Sequence, residues 1–164
     1  MYNYVLTESE GITVYINLIN SPAGYGISRQ PQLINLIKEI VPTINLKSDK
    51  LIVEKDMGRL IGNTDIIETS EKDNIYYALP NKKKVFSRFA KNRYPKPSRK
   101  ITLVLKKDDD KNYEVYDAWI GPNRPAFPGS DDESNKSRSY WDNHALVEDA
   151  QKIQSKTITK DCPY

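Results

Sequence analysis

Residues 82–121 read KKKVFSRFAKNRYPKPSRKITLVLKKDDDKNYEVYDAWIG. The second half of this stretch decides the fold. Ile101, Leu103 and Leu105 alternate with Thr102 and Val104, a highly charged turn follows at 106–112, and 113–120 returns as an apolar and aromatic run. Period-two alternation before the turn and a returning apolar run after it predict an antiparallel hairpin, expected at the centre of a sheet. The first half, 82–100, holds nine Lys/Arg and no acid, whereas the whole chain of 164 residues carries only +3. The positive field is therefore local, and a local field marks a candidate site.

Outward from the hairpin, 2–7 and 11–19 are rich in β-branched and aromatic residues around the turn Glu8-Ser9-Glu10-Gly11, predicting an opening hairpin. The stretch 20–26 (NSPAGYG) reads as a loop, because its two glycines permit positive φ; it lacks the Gly-Lys-Ser/Thr ending of a P-loop. Ser28 is expected to cap a helix over residues 30 to 41, with Pro31 in its first turn, an apolar stripe of Leu33, Ile34, Ile37, Ile40 and Val41, and Pro42 at its end. Residues 51–53 fit a strand or a helical turn. Strands are expected at 66–69 and 75–79, joined as a hairpin through Glu71-Lys72-Asp73-Asn74. Residues 85–91 fit a strand or short helix, and Pro95 and Pro97 make an extended break.

After the central hairpin, 121–129 (GPNRPAFPG) reads as a structured loop with three prolines, and 130–139 as polar and mobile. Residues 140–147 lead into a last strand or short helix. The final TITKDCPY is expected to lie against the body through Cys162 and Tyr164. Together these elements predict an α+β fold in a single domain, 1–164: a twisted, mostly antiparallel sheet with an N-terminal amphipathic helix packed on one face. Eleven tyrosines and two tryptophans argue against disorder. One cysteine, the absence of a basic-then-apolar start and the lack of any long apolar run predict a cytoplasmic protein with no membrane partner.

The basic run suits phosphate. Arg88, Lys96, Arg99 and Lys100 can neutralise a nucleic-acid backbone, with Phe89 and Tyr94 offering stacking faces to unpaired bases, so the run reads equally as a site for RNA or single-stranded nucleic acid and as a solvated basic face with its aromatics in the core. Arg124, framed by proline and glycine, is a further candidate contact; Tyr25 and Arg29 beside the glycine-rich loop are weaker ones. His144, the only histidine, is the natural residue to take or give a proton near neutral pH, with Asp142 as its candidate partner. With no second histidine and no CxxC pair, no metal or other cofactor is expected. Asp108-Asp109-Asp110 lacks EF-hand spacing and is expected to face solvent. A protein-contact role for the 121–129 loop, Phe127 included, is the third reading of the chain.

The segment SRFAKNRYPKPSRKITLVLKKDDDKNYEVYDAWIG resembles the core of the barnase, EndoU, colicin-type tRNase and RelE-like nuclease superfamily, in which a basic segment precedes two antiparallel strands and a short loop. The resemblance covers about forty residues and is one of pattern. It implies a toxin-like, metal-independent endoribonuclease in which the RNA 2′-hydroxyl attacks the adjacent phosphate, with a protein inhibitor as a further partner. Carried over by position, it implies that Lys91 and Arg93 hold the phosphate, Ser98 or Thr102 hydrogen-bonds it, and His144 acts as acid or base. EndoU-type enzymes use two histidines and a lysine, whereas this chain has one histidine, placed after the hairpin.

Overall fold

The computed structural model describes residues 3–19, 21–79, 84–148 and 158–164. Pro80, Asn81 and the first two lysines of the basic run, Lys82 and Lys83, lie outside the described residues. The fold is mixed α/β and rich in sheet. Where one cooperative core was expected, the chain divides into two compact units, 1–62 with 98–123 and 63–97 with 124–164.

In the first unit, β1 (Asn3–Ser9) and β2 (Ile12–Asn17) form the opening hairpin, turned at Glu10 and Gly11, both at positive φ. The expected central hairpin is β9 (Lys100–Lys107) and β10 (Tyr113–Ile120). With β3 (Lys50–Asp56) they build a five-stranded sheet of order β1-β2-β10-β9-β3, antiparallel except at β2 and β10. Asp108 organises the charged turn rather than facing solvent idly. Its Oδ1 accepts the amides of Asp110 (3.0 Å) and Asn112 (2.9 Å), and its Oδ2 accepts the Tyr15 hydroxyl (2.9 Å).

The helices of this unit differ from their expected limits. Ser21 caps α1 (Pro22–Arg29) by accepting the Gly24 amide, and Pro22 occupies the first turn. The two glycines read as loop markers are instead helical. A Cβ on Gly24 would strike the Leu18 carbonyl, and one on Gly26 would lie 3.2 Å from the Ala118 carbonyl, so they mark close backbone approach rather than positive φ. Ser28 is inside α1, donating to the Tyr25 carbonyl. The amphipathic helix is α2 (Leu33–Ile40), ended by a 3₁₀ turn at Val41–Thr43. It is not N-terminal, since two strands and α1 precede it. Its Leu33, Leu36, Ile37 and Ile40 share one buried cluster with Val14, Ile16, Ile101, Leu103, Leu105 and Val115. Each such side chain contributes roughly 1.5–3 kcal/mol by leaving water.

Short strands β4 (Gly62–Thr64) and β8 (Lys96–Ser98) form a separate two-stranded sheet. The second unit contains β5 (Ile66–Glu68), β6 (Ile75–Ala78), β7 (Ser87–Ala90), α3 (Ser137–Asp142) and β11 (His144–Val147). Its sheet order is β5-β11-β7-β6. The hairpin expected between 66–69 and 75–79 therefore does not form: those strands are opposite edges, with β11 and β7 between them. Glu71-Lys72-Asp73-Asn74 is no tight hairpin turn, because Asp73 folds back on Ser70 and is held by Arg93. The stretch read as mobile contains a Ser134–Ser137 hydrogen bond and starts α3 with Ser137 buried. At the C-terminal end Thr159 bridges Tyr77 through both backbone groups and Tyr164 stands edge-on to the Tyr77 ring at 5.7 Å, while Cys162 is exposed. Among the described residues no helix is long and apolar enough to cross a membrane.

Candidate functional site in the four-stranded sheet

The short strand β5 gathers the chemistry. In its ladder with β11, Glu68 stands opposite His144. The bonds Thr69 N to Asn143 O and Val147 N to Asp65 O place the hydrogen-bonded pairs on either side, so Glu68 and His144 are a non-hydrogen-bonded pair, the kind whose side chains lie closest. Residues directly opposite share a face, and here that face also carries Ile66, Phe89 and Leu146, which cluster with Trp141 of α3. A carboxylate and an imidazole are thus neighbours on one rim of an apolar cluster.

His144 is half-buried and oriented. Its Nδ1 lies 2.8 Å from the Tyr140 carbonyl, and its ring stacks on the Tyr140 ring at 3.9 Å with 2° between planes. With a carbonyl as acceptor, Nδ1 carries hydrogen, and Nε2 is the atom left to take or give a proton. The orienting group is therefore the Tyr140 carbonyl, not Asp142. Burial raises the Tyr140 hydroxyl above its ordinary range; the Arg124 charge opposes that shift, while Asp65 and Glu68 reinforce it. Arg124 itself is ion-paired with Asp65 at 3.1 Å.

Arg93 reaches the other side of Glu68. Its Nη2 is 3.5 Å from the Glu68 carbonyl and its Nη1 is 2.6 Å from Asp73. The Ser70 amide and this guanidinium hold the Asp73 carboxyl below its ordinary value. Arg93 is consequently fixed on Asp73 and against the Glu68 backbone, at the edge of β5 that faces away from β11. Arg88 is placed differently. From β7 it donates to Thr69 Oγ1 (2.7 Å) and to the His144 carbonyl (2.9 Å), while its buried Nε meets no acceptor. It ties three strands together under the histidine rather than facing a ligand.

The remaining sequence candidates do not all converge. Ser98, Arg99, Lys100 and Thr102 belong to the other unit, so the contiguous basic run is divided between the two. Thr102 is fully buried and donates to the Gly121 carbonyl at 2.9 Å, which removes it as a phosphate contact. Ser98 accepts the Lys100 amide; Arg99 pairs with Asp56 at 3.5 Å and Lys100 with Glu54 at 3.8 Å. Phe89 offers no face to a base, being fully buried and stacked on Tyr76 at 5.4 Å. Phe127 is half-buried and stacks on the Trp141 ring at 3.8 Å. Lys91 covers the Tyr76 ring at 5.5 Å. It lies just past the end of β7, beyond the residues of that strand that pair with β11.

Tyr94 and Lys96 are presented openly. Lys91 and Asn92, the latter at positive φ, turn the chain after β7, with the Lys91 amide bonded to the Asn74 carbonyl. Tyr94 then stands 79% exposed. Glu68 and Tyr140 were not readable as site residues from the sequence: nothing local in IIET or SYWD says which strand will lie opposite. Among the described residues no group of three or more His, Cys, Asp or Glu side chains could hold a metal ion. No protein family model, curated protein or solved structure matches this chain.

Proposed function

We propose that the chain is a metal-independent endoribonuclease whose acid–base pair is Glu68 and His144. The observation that carries this reading is the direct cross-strand opposition of the two, with His144 held through Nδ1 and Arg93 bonded to the Glu68 carbonyl. The Glu68 carboxylate takes the proton of the RNA 2′-hydroxyl as its oxygen attacks phosphorus. The P–O2′ bond forms and the P–O5′ bond breaks; His144 Nε2–H gives its proton to the leaving 5′-oxygen, and a 2′,3′-cyclic phosphate remains. Arg93 supplies positive charge where the phosphoryl oxygens gain negative charge. Tyr94 provides a stacking face for a base next to the cleaved bond.

The test is RNA cleavage in EDTA with mixed-sequence substrates. Wild type should yield cyclic-phosphate ends, and Glu68→Gln or His144→Gln should slow turnover ~10²–10⁴-fold at unchanged affinity for a 2′-deoxy analogue. Intact RNA alongside a cleaved control removes the catalytic reading. The exposure of Tyr94 and Lys96 favours a second one, a non-catalytic module for RNA or single-stranded nucleic acid. That reading requires binding that weakens steeply with salt and is lost in Tyr94→Ala, with no cleavage under any condition.

A further inference from the structure

The two edges of the five-stranded sheet differ. β1 is irregular, its register shifting between Val5 and Thr7, whereas β3 pairs with β9 without interruption from Lys50 to Asp56. The far side of β3 has no strand partner among the described residues. The Lys107 amide bonds to the Asp49 carbonyl and the Met57 amide to the Arg99 carbonyl. Alternation between those two bonds means that Leu51, Val53 and Lys55 direct their backbone groups toward β9. Lys50, Ile52, Glu54 and Asp56 direct theirs outward. These four are the exposed residues of the strand, Ile52 at 51%. A long, regular, unpaired edge is a template for another strand.

The sequence of that edge is complementary to itself. Residues 49–55 read DKLIVEK. Turned antiparallel on a second copy about a two-fold axis at Ile52, Asp49 meets Lys55, Lys50 meets Glu54, Leu51 meets Val53, and Ile52 meets Ile52. Every opposition is between opposite charges or between apolar side chains, the combinations that stabilise cross-strand pairs. The outward groups also match, since Lys50, Ile52 and Glu54 pair among themselves as hydrogen-bonded positions. Moving the axis one residue onward sets Ile52 against Glu54 and Leu51 against Lys55. Moving it two residues sets Glu54 against Glu54. Leu51 and Val53 already pack on the main apolar cluster and would extend it across the axis.

We propose that β3 is a self-association edge, and that two copies of this chain join antiparallel at Ile52 into one continuous ten-stranded sheet. A two-fold contact of this kind is closed, so assembly stops at the dimer. Glu54 keeps its present contacts, Oε1 accepting the Asn123 amide at 2.7 Å and Oε2 lying 3.8 Å from Lys100, and joins the partner's Lys50 at the edge of the interface.

The experiment is sedimentation of the full chain from micromolar to near-millimolar concentration, in reductant so that Cys162 cannot cross-link. Wild type should dimerise, with slowed amide exchange at Lys50, Ile52 and Glu54. Ile52→Lys places two ammonium groups on the axis and should yield monomer. Lys55→Asp, which opposes Asp49 with a like charge, should weaken association about tenfold. The double variant Asp49→Lys with Lys55→Asp should restore it, which a general loss of folding would not do. Monomer at every concentration, a dimer indifferent to Ile52→Lys, or a double variant no better than Lys55→Asp would each overturn the proposal.

Discussion

In the five-stranded sheet, Ile101, Leu103, Leu105 and Val115 bury against Leu33, Ile37 and Ile40 of α2, forming a single and mainly aliphatic cluster. In the four-stranded sheet the apolar residues divide by strand alternation. Tyr76, Phe89 and Leu146 fall on one face, where Trp141 of α3 packs, and Ala90, Ala145, Val147 and Ile67 on the other. The second unit also places polar groups within its framework: Arg88 beneath His144, Arg93 on Asp73, Arg124 on Asp65. Aliphatic side chains pack by shape and need no partners, so the first sheet is a scaffold. Guanidinium and carboxylate groups must be paired when they leave water, and pairing fixes their directions. The unit with the smaller sheet is the one with oriented chemistry.

The largest expected effect lies in the second unit. On the proposed activity, Glu68→Gln should reduce RNA turnover by ~10²–10⁴-fold while leaving the melting temperature nearly unchanged, because Glu68 is exposed. The equivalent exchange of a partly exposed residue in the first sheet, Glu114→Gln, should leave turnover alone. If both variants lose activity equally, or neither does, the division between scaffold and site fails.

Core truncations come next and sharpen the comparison by location. Trp141→Ala removes a fully buried ring that stacks on Phe127 and donates to the Pro125 carbonyl, and should cost ~3–5 kcal/mol. Leu103→Ala should cost ~2–5 kcal/mol. Amide exchange should show protection falling first in β5, β7 and β11 for the former and in β3, β9 and β10 for the latter. Gly24→Ala should cost about 1–3 kcal/mol, since its methyl meets the Leu18 backbone rather than a side chain that can turn aside. Denaturant titration measures all three.

The smallest effects are at the extremes of pH, and they separate the units by sign. In the first, burial and the hydrogen bond to Asp108 push the Tyr15 hydroxyl up from 10.0 to about 12. That contribution is complete below pH 10 and is lost as pH rises through 12; Tyr15→Phe should flatten the alkaline limb of the stability curve. In the second, Asp73 is held low by the Ser70 amide and Arg93. Its contribution is present above the ordinary carboxylate value and disappears as pH falls through the lower folded one, so Asp73→Asn should flatten the acid limb.

Much of the fold was legible because its signals are local. Alternation in 101–105 and the apolar return at 113–120 found β9 and β10, and three- and four-residue apolar spacing found α2, because a side chain's face follows from its own position in the repeat. The glycines of α1 misled, since Gly24 clears the Leu18 carbonyl just before the helix and Gly26 lies against the Ala118 carbonyl of β10. Site legibility was lower. His144, Arg93, Tyr94 and Arg124 were readable as chemical types, but Thr102 and Phe89 became interior residues and the basic run was split between the units.

By itself the sequence determined where most of the strands and the amphipathic helix form, that positive charge is concentrated at 82–100, and that one histidine is available. Those properties depend on residue type and on spacing within a turn or a strand. Only tertiary structure decided that β11 inserts beside β5, which is what sets Glu68 against His144 across 76 residues of chain. Strand order is a long-range choice among edges of similar backbone geometry, made by which apolar faces bury together, and no local pattern encodes it.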